Sequence, residues 1–269
     1  MGDLVRTMTS ATRTFRRACS GLLALVAFAA VATSARAAPC GFEAQGEGHV
    51  AGIIDGKSFR LSDGREIRLA GIEPAGASKA ERAAALAAVL KDKDVSLRWP
   101  DDAPDRYGRQ SALVFLPPSG SLVQALLLSE GRAFVSTEVT DKDCAATLSA
   151  AEAEARTAKK GTWGSPTVIK NAESADDILT GIGRFMLVEG KVLSVRQAGA
   201  TTYLNFGRRW TRDFAATISR RNMTAVESAG MALKSLENRR VRVRGWVEAR
   251  PSPRIEVVRG GQIEVLSGN

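Results

Sequence analysis

Histidine is all but missing from this chain: among 269 residues there is 1, His49. Chemistry that relies on a histidine general base or a histidine-rich zinc site has little support. Cysteine is scarce as well, with 3 in the sequence and no Cys-x-x-Cys pair. No nucleotide-binding glycine fingerprint and no Gly-x-Ser-x-Gly elbow occurs, so the common dinucleotide-binding and serine-hydrolase patterns are excluded. Beyond residue 37 no apolar run approaches the roughly 20 residues that a membrane-spanning helix needs.

The first 37 residues read as an export signal. Arg6, Arg13, Arg16 and Arg17 form a basic start, Gly21 to Ala32 an apolar run, and Ala35-Arg36-Ala37 a small-x-small cleavage site. The apolar run is short and wrongly flanked for a stop-transfer helix; an uncleaved anchor is the alternative. Arg16-Arg17 hints at twin-arginine export, but the residues after it fit poorly. A periplasmic or secreted location is expected. Losing Cys19 with the signal leaves Cys40 and Cys144. An even pair in an oxidising compartment favours a disulfide, with a lipidated Cys40 or two free thiols as alternatives. Ala37-Ala38-Pro39 lacks the apolar residue and small neighbour that lipidation requires.

Charge is unevenly placed. The whole chain carries 38 basic and 29 acidic residues, net +9. Residues 38–170 hold 17 basic and 18 acidic side chains, whereas residues 171–269 hold 16 basic and 10 acidic, 14 of the basic ones being Arg. Polyanion binding would be driven from the C-terminal part. An ordinary basic surface is the competing reading.

Patterning gives two β-rich parts. Alternating runs from 48 to 72 read as a hairpin, 80–90 as a helix, 94–99 and 112–115 as strands, 122–127 and 148–160 as helices. A Ser-, Pro-, Asn- and Asp-containing stretch marks a linker, placed at 166–180. Strands follow over 184–195, 202–206, 213–219, 238–248, 254–258 and 262–266, with a helix over 224–233. In Val241 to Val247 the period of two sets Arg242 and Arg244 on one face. With Tyr203, Phe206 and Trp210 nearby in sequence, that face suits stacking and clamping of single strands, and equally suits the wet side of an antiparallel strand.

The most specific text is Gly52-Ile53-Ile54-Asp55-Gly56-Lys57-Ser58-Phe59-Arg60-Leu61, then Glu66-Ile67-Arg68-Leu69-Ala70-Gly71-Ile72-Glu73-Pro74. Further on stand Asp105-Arg106-Tyr107-Gly108-Arg109, Gly131-Arg132-Ala133-Phe134-Val135 and Lys160-Gly161-Thr162-Trp163. In this order and spacing, residues from about His49 to Trp163 resemble the thermonuclease, or staphylococcal-nuclease-like, family. The resemblance implies an α+β, mainly β fold: a five-stranded oligonucleotide/oligosaccharide-binding (OB) barrel with flanking helices over 38–165. A second, smaller OB-like barrel is expected over 181–269.

The resemblance also implies Ca²⁺-assisted phosphodiester hydrolysis: two acidic side chains hold the metal, a Glu activates water, and two arginines neutralise the transition state. Arg68 and Arg109 match the two arginines. Asp55 and Glu73 are the carboxylates left for a metal, with Glu73 in place of the family's Asp. Lys57 stands where the second metal Asp belongs, and Ala75-Gly76 where a Pro-Glu belongs. A charged Lys has no lone pair to ligate with and repels a divalent ion.

Arg68, Arg109 and Glu73 are therefore the candidate catalytic residues. Tyr107, Arg106, Lys57, Arg242 and Arg244 are candidates for substrate binding, and Asp55 and Glu73 form a weak candidate metal site. Ser136-Thr137-Glu138-Val139 lacks the tyrosines that wall the base in some members. The functional expectation is an exported polyanion-binding or nucleic-acid-binding protein with a degenerate site. Two alternatives stay open: an active Ca²⁺-dependent phosphodiesterase using Asp55, Glu73 and Glu81, and an envelope protein-contact module. Arg68 and Arg109 have a structural reading too, as partners of Asp55, Asp63 or Asp105.

Overall fold

The computed structural model describes residues 40–266. The expected export segment, residues 1–37, lies outside the described residues. The order begins β1 (Ala44–Ile53), β2 (Ser58–Leu61), β3 (Glu66–Leu69), β4 (Ile72–Pro74), α1 (Lys79–Leu90), β5 (Asp94–Arg98) and β6 (Arg109–Leu116). It continues with β7 (Ser121–Leu122), α2 (Val123–Ser129), β8 (Ala133–Val135) and α3 (Lys142–Thr157).

Five of these strands close into a ring. β1 pairs antiparallel with β2 and β5, β2 with β3, β5 with β6, and β3 runs parallel to β6. Period two fills its interior: Phe59, Leu61, Ile67, Leu69, Leu97 and Leu113 are buried, while Arg60, Glu66 and Arg68 alternate outward. Each such apolar side chain contributes about 1.5–3 kcal/mol of burial. The helix expected from 148 begins earlier, at Lys142, because the Asp141 side chain caps it by accepting from the Cys144 N–H at 2.8 Å. Cys144 in that first turn forms the disulfide with Cys40, closing a sequence separation of 104.

The second β-rich region comprises β9 (Ile169–Asn171), α4 (Ala175–Leu179), β10 (Phe185–Lys191), β11 (Ser194–Ala198), β12 (Thr201–Asn205) and β13 (Ala215–Ser219). It ends with α5 (Met223–Glu227), β14 (Arg240–Ala249), β15 (Pro253–Glu256) and β16 (Ile263–Val265). The stretch 166–180 is thus not a bare linker: β9 pairs parallel with β10, and α4 buries Ile178. The helix expected over 224–233 stops at Glu227 because Gly230 takes φ +80°, after which Leu233–Leu236 forms a 3₁₀ turn.

The pairing plan repeats that of the first ring. β10 and β11, separated only by Val192-Leu193, pair with β14 and β12; β12 pairs with β13, β13 runs parallel to β15, and β15 returns to β14.

The two β-rich regions share an apolar seam. Phe134 and Trp163 meet edge-on at 5.4 Å, and Phe134 stacks on Phe185 at 6.4 Å. Arg242 and Arg244 do share a face, as expected, but it is not a wet one. Arg242 bridges its register neighbours Glu189 on β10 and Glu264 on β16, with Nε and Nη1 each at 2.7 Å from a carboxylate oxygen. Arg244 donates to Glu152 on α3 at 2.9 Å and to the Val135 carbonyl at 3.1 Å. Both arginines are buried. The substrate-binding expectation for this pair is therefore corrected: neighbouring strands and α3 cover them, and Arg244 fastens the two regions together.

Candidate functional site

The turn after β1 is folded by Asp55, whose Oδ1 accepts from the Lys57 N–H at 2.7 Å. Gly56 is needed there, since a Cβ would stand 2.5 Å from the Arg82 Cβ. The turn sends the Lys57 side chain inward, leaving the residue 3% exposed. Lys57 Nζ lies 2.7 Å from Glu73 Oε1 on β4 and 3.8 Å from Glu138 Oε1. Arg68 Nη2 approaches the same Glu73 oxygen at 3.9 Å. The other oxygen of Glu138 accepts from the Gly71 N–H at 3.2 Å. Gly71 has φ +80°, and a Cβ on it would press to 2.7 Å of the Val139 side chain. Glu138, not a candidate from the sequence, thus adds an exposed carboxylate beside the buried Lys57–Glu73 pair. Its position just after the Phe134-Val135 strand was the signal that it would face this pocket.

Ca²⁺ takes 6–8 oxygen ligands, several of them anionic in typical sites. The residues present do not fit it. Glu73 is held by an ammonium, Asp55 is tied to its own turn, and among the described residues no group of three or more His, Cys, Asp and Glu side chains converges in a metal-holding arrangement. Glu81 is occupied elsewhere: Ser78 Oγ accepts from the Glu81 N–H at 3.0 Å, and Glu81 Oε2 accepts from the Ala77 N–H at 2.9 Å. Ser78-x-x-Glu81 is the pattern of a helix start, which explains that acid without catalysis.

Arg109 opens β6, diagonal to Arg68 because Glu66 faces Arg109 and Arg68 faces Ser111. Its Nε and Nη2 donate to Asp105 Oδ2 at 3.0 and 2.7 Å. Asp105 Oδ1 also accepts from the Tyr107 and Arg109 N–H groups, at 2.8 and 3.1 Å. The Arg109 side-chain hydrogen bond leads in holding the Asp105 carboxyl down to about 2, below its ordinary 3.8. The same bond raises Arg109 further above its usual value. Arg106 and Arg109 both lie over the Tyr107 ring, at 4.7 and 5.0 Å, and Tyr107 is 63% exposed. The structure thus gathers Lys57, Arg68 and Glu73 into one contact group and Arg106, Tyr107 and Arg109 into another. Arg242 and Arg244 belong to neither.

Residues 67–165 match the model of the staphylococcal nuclease homologue family. The chain carries a staphylococcal-nuclease-like domain. The match includes Arg68, Glu73, Arg106, Tyr107 and Arg109, and begins after the hairpin with Asp55 and Lys57. No curated protein matches the chain. Among the described residues, no helix is long and apolar enough to cross a membrane.

Proposed function

We propose that this is an exported staphylococcal-nuclease-like protein that holds a polyanion, nucleic acid foremost, and does not hydrolyse it efficiently. One observation carries the reading: the Lys57 ammonium is buried against Glu73 at 2.7 Å, and the sequence resemblance expects a metal carboxylate at position 57. A fixed cation can neutralise phosphate charge in part, but it cannot lower the pKa of a bound water as a metal does. Among the described residues Arg68 has no carboxylate within hydrogen-bond distance, its nearest being at 3.9 Å, and Arg109, held by Asp105 through Nε and Nη2, adds a second guanidinium beside Tyr107. Export is supported by the basic-apolar-small pattern of residues 1–37 and by the Cys40–Cys144 disulfide, which favours an oxidising compartment.

The test is incubation of the purified chain with single-stranded DNA in Ca²⁺ and in chelator. Retention of DNA with no Ca²⁺-dependent cleavage is expected. Cleavage that needs Ca²⁺ and disappears in Glu73→Gln would overturn the proposal in favour of an active phosphodiesterase.

A further inference from the structure

We infer that the outer face of β11, β12, β13 and β15 binds a single-stranded nucleic-acid segment, with bases on Tyr203 and Trp210 and phosphates on Arg196, Arg208, Arg250 and Arg254. This deepens the proposed polyanion binding, on which it rests for the ligand class, and places a second site outside the nuclease-like domain.

The face is built by register. Ser194, Asn205, Ala215 and Arg254 form one row across the four strands, and Arg196, Tyr203, Thr217 and Glu256 form the next. The alternate residues Leu204, Ala216 and Ile255 point the other way and are buried. Two loops raise walls on this floor, one with Gly207, Arg208 and Trp210 and the other with Arg250, Pro251 and Ser252, enclosing a cavity of about 740 Å³. That volume lies within the roughly 300–1,000 Å³ of small-ligand clefts.

The first loop is held in shape before any ligand arrives. Asp213 Oδ2 accepts from the Arg209 N–H at 2.7 Å, and the Asp213 N–H donates to the Arg209 carbonyl at 2.7 Å. A Cβ on Gly207 would fall 2.1 Å from the Asp213 carboxylate, so only glycine permits this fold. The turn leaves the Trp210 indole 73% exposed. An exposed indole on a fixed loop beside a tyrosine is a stacking surface that every base can use.

Charge separates this face from an ordinary basic surface. No Asp or Glu lines the cavity. Among the described residues, the carboxylate within 4.0 Å of its arginines is Glu248, shared by Arg250 at 3.7 Å and Arg254 at 4.0 Å. The same place in the nuclease-like ring shows the contrast. There Arg109 faces Glu66 on the parallel third strand, and the neighbouring Arg60 pairs with Glu66 at 2.6 Å. Here Arg254 faces Ala215. On its other side Arg254 faces Glu248 on β14, whose nearest oxygen stands 4.0 Å from Nε, beyond hydrogen-bond distance, so the guanidinium keeps its donors for phosphate.

The experiment uses the full chain with fluorescein-labelled oligothymidylate and, separately, inorganic polyphosphate as a ligand without bases. Trp210→Ala is expected to weaken oligothymidylate binding by at least about fivefold, as loss of one stacked base does, and to leave polyphosphate retention unchanged. Arg250→Gln with Arg254→Gln should weaken both ligands and flatten the log–log salt dependence by about 1.4, at roughly 0.7 per single-strand phosphate contact. Arg109→Gln serves as the nuclease-domain control. Oligothymidylate binding that falls only in Arg109→Gln would overturn this inference and leave the proposed function standing. Binding that Trp210→Ala leaves unchanged for both ligands would overturn it too. A wild-type chain that retains neither ligand would remove both readings.

Discussion

The nuclease-like ring and the second β-rich region share a strand plan but place their charges differently. In the first, Lys57, Glu73, Glu138 and Arg68 face one another, and Arg109 is clamped by Asp105. In the second, Glu189 and Glu264, joined by Glu152 of α3, gather around Arg242 and Arg244. On the outer face of β11, β12, β13 and β15, Arg196, Arg208, Arg250 and Arg254 outnumber the acids, which are Glu256 in one row and Glu248 beside it. The lesson concerns where net charge matters. A region with near-balanced charge can bury a locked cluster, whereas a region of net +6 has more arginines than acids to hold them.

The comparison can be broken by experiment. Only the first region carries cysteines after residue 37, so Cys144→Ser should weaken the oxidised protein by about 4 kcal/mol in denaturant unfolding, given a loop of about 100 residues. A loss under 1 kcal/mol would mean the staple constrains little. Lys57→Met removes one partner of a buried pair and should cost about 3 kcal/mol. Arg254→Gln on the open face should stay within about 0.5 kcal/mol. Equal losses for these two would erase the distinction drawn between locked and free cations.

Lys57→Asp turns the cation into a third carboxylate beside Asp55 and Glu73, so calorimetry should detect Ca²⁺ heat in the variant and none in the parent. Silence in both would mean the turn geometry, and not the lysine alone, excludes the ion. Adding Gly76→Glu would confuse that result, because Gly76 sits at φ +128° with Glu81 and Arg82 side-chain atoms within 3.3 Å of a built Cβ.

The smallest expected effect is a titration. The Asp105 carboxyl is depressed, so its stabilisation is complete above the ordinary 3.8 and is lost as pH falls through about 2. Its carboxyl NMR shift should titrate near pH 2, and Arg109→Gln should move the midpoint up toward 3.8. A midpoint unmoved by that substitution would leave the backbone N–H groups as the sole cause.

Much of the nuclease-like region could be seen in the residues themselves. Alternation around Phe59, Ile67 and Leu113 sets inward and outward faces, and Asp105-Arg106-Tyr107-Gly108-Arg109 marks a folded turn before a strand. The start of α3 was missed because Asp141 caps a helix whose first turn, Lys142-Asp143-Cys144, has no apolar periodicity. Arg242 and Arg244 share the face that period two predicts, but local order does not show what covers it. Their partners Glu189, Glu264 and Glu152 lie 53, 22 and 92 residues away, and only strand register and helix docking bring them close.

Local order alone determined three things here: the period-two faces of the strands, a lysine where the family resemblance expects an acid, and two cysteines beyond residue 37. Those follow from side-chain chemistry and backbone alternation, which need no distant neighbour. Tertiary structure decided which charges are neutralised. A guanidinium is free or spent according to which carboxylates the fold carries within hydrogen-bond distance, about 3 Å, and sequence separation does not encode that distance.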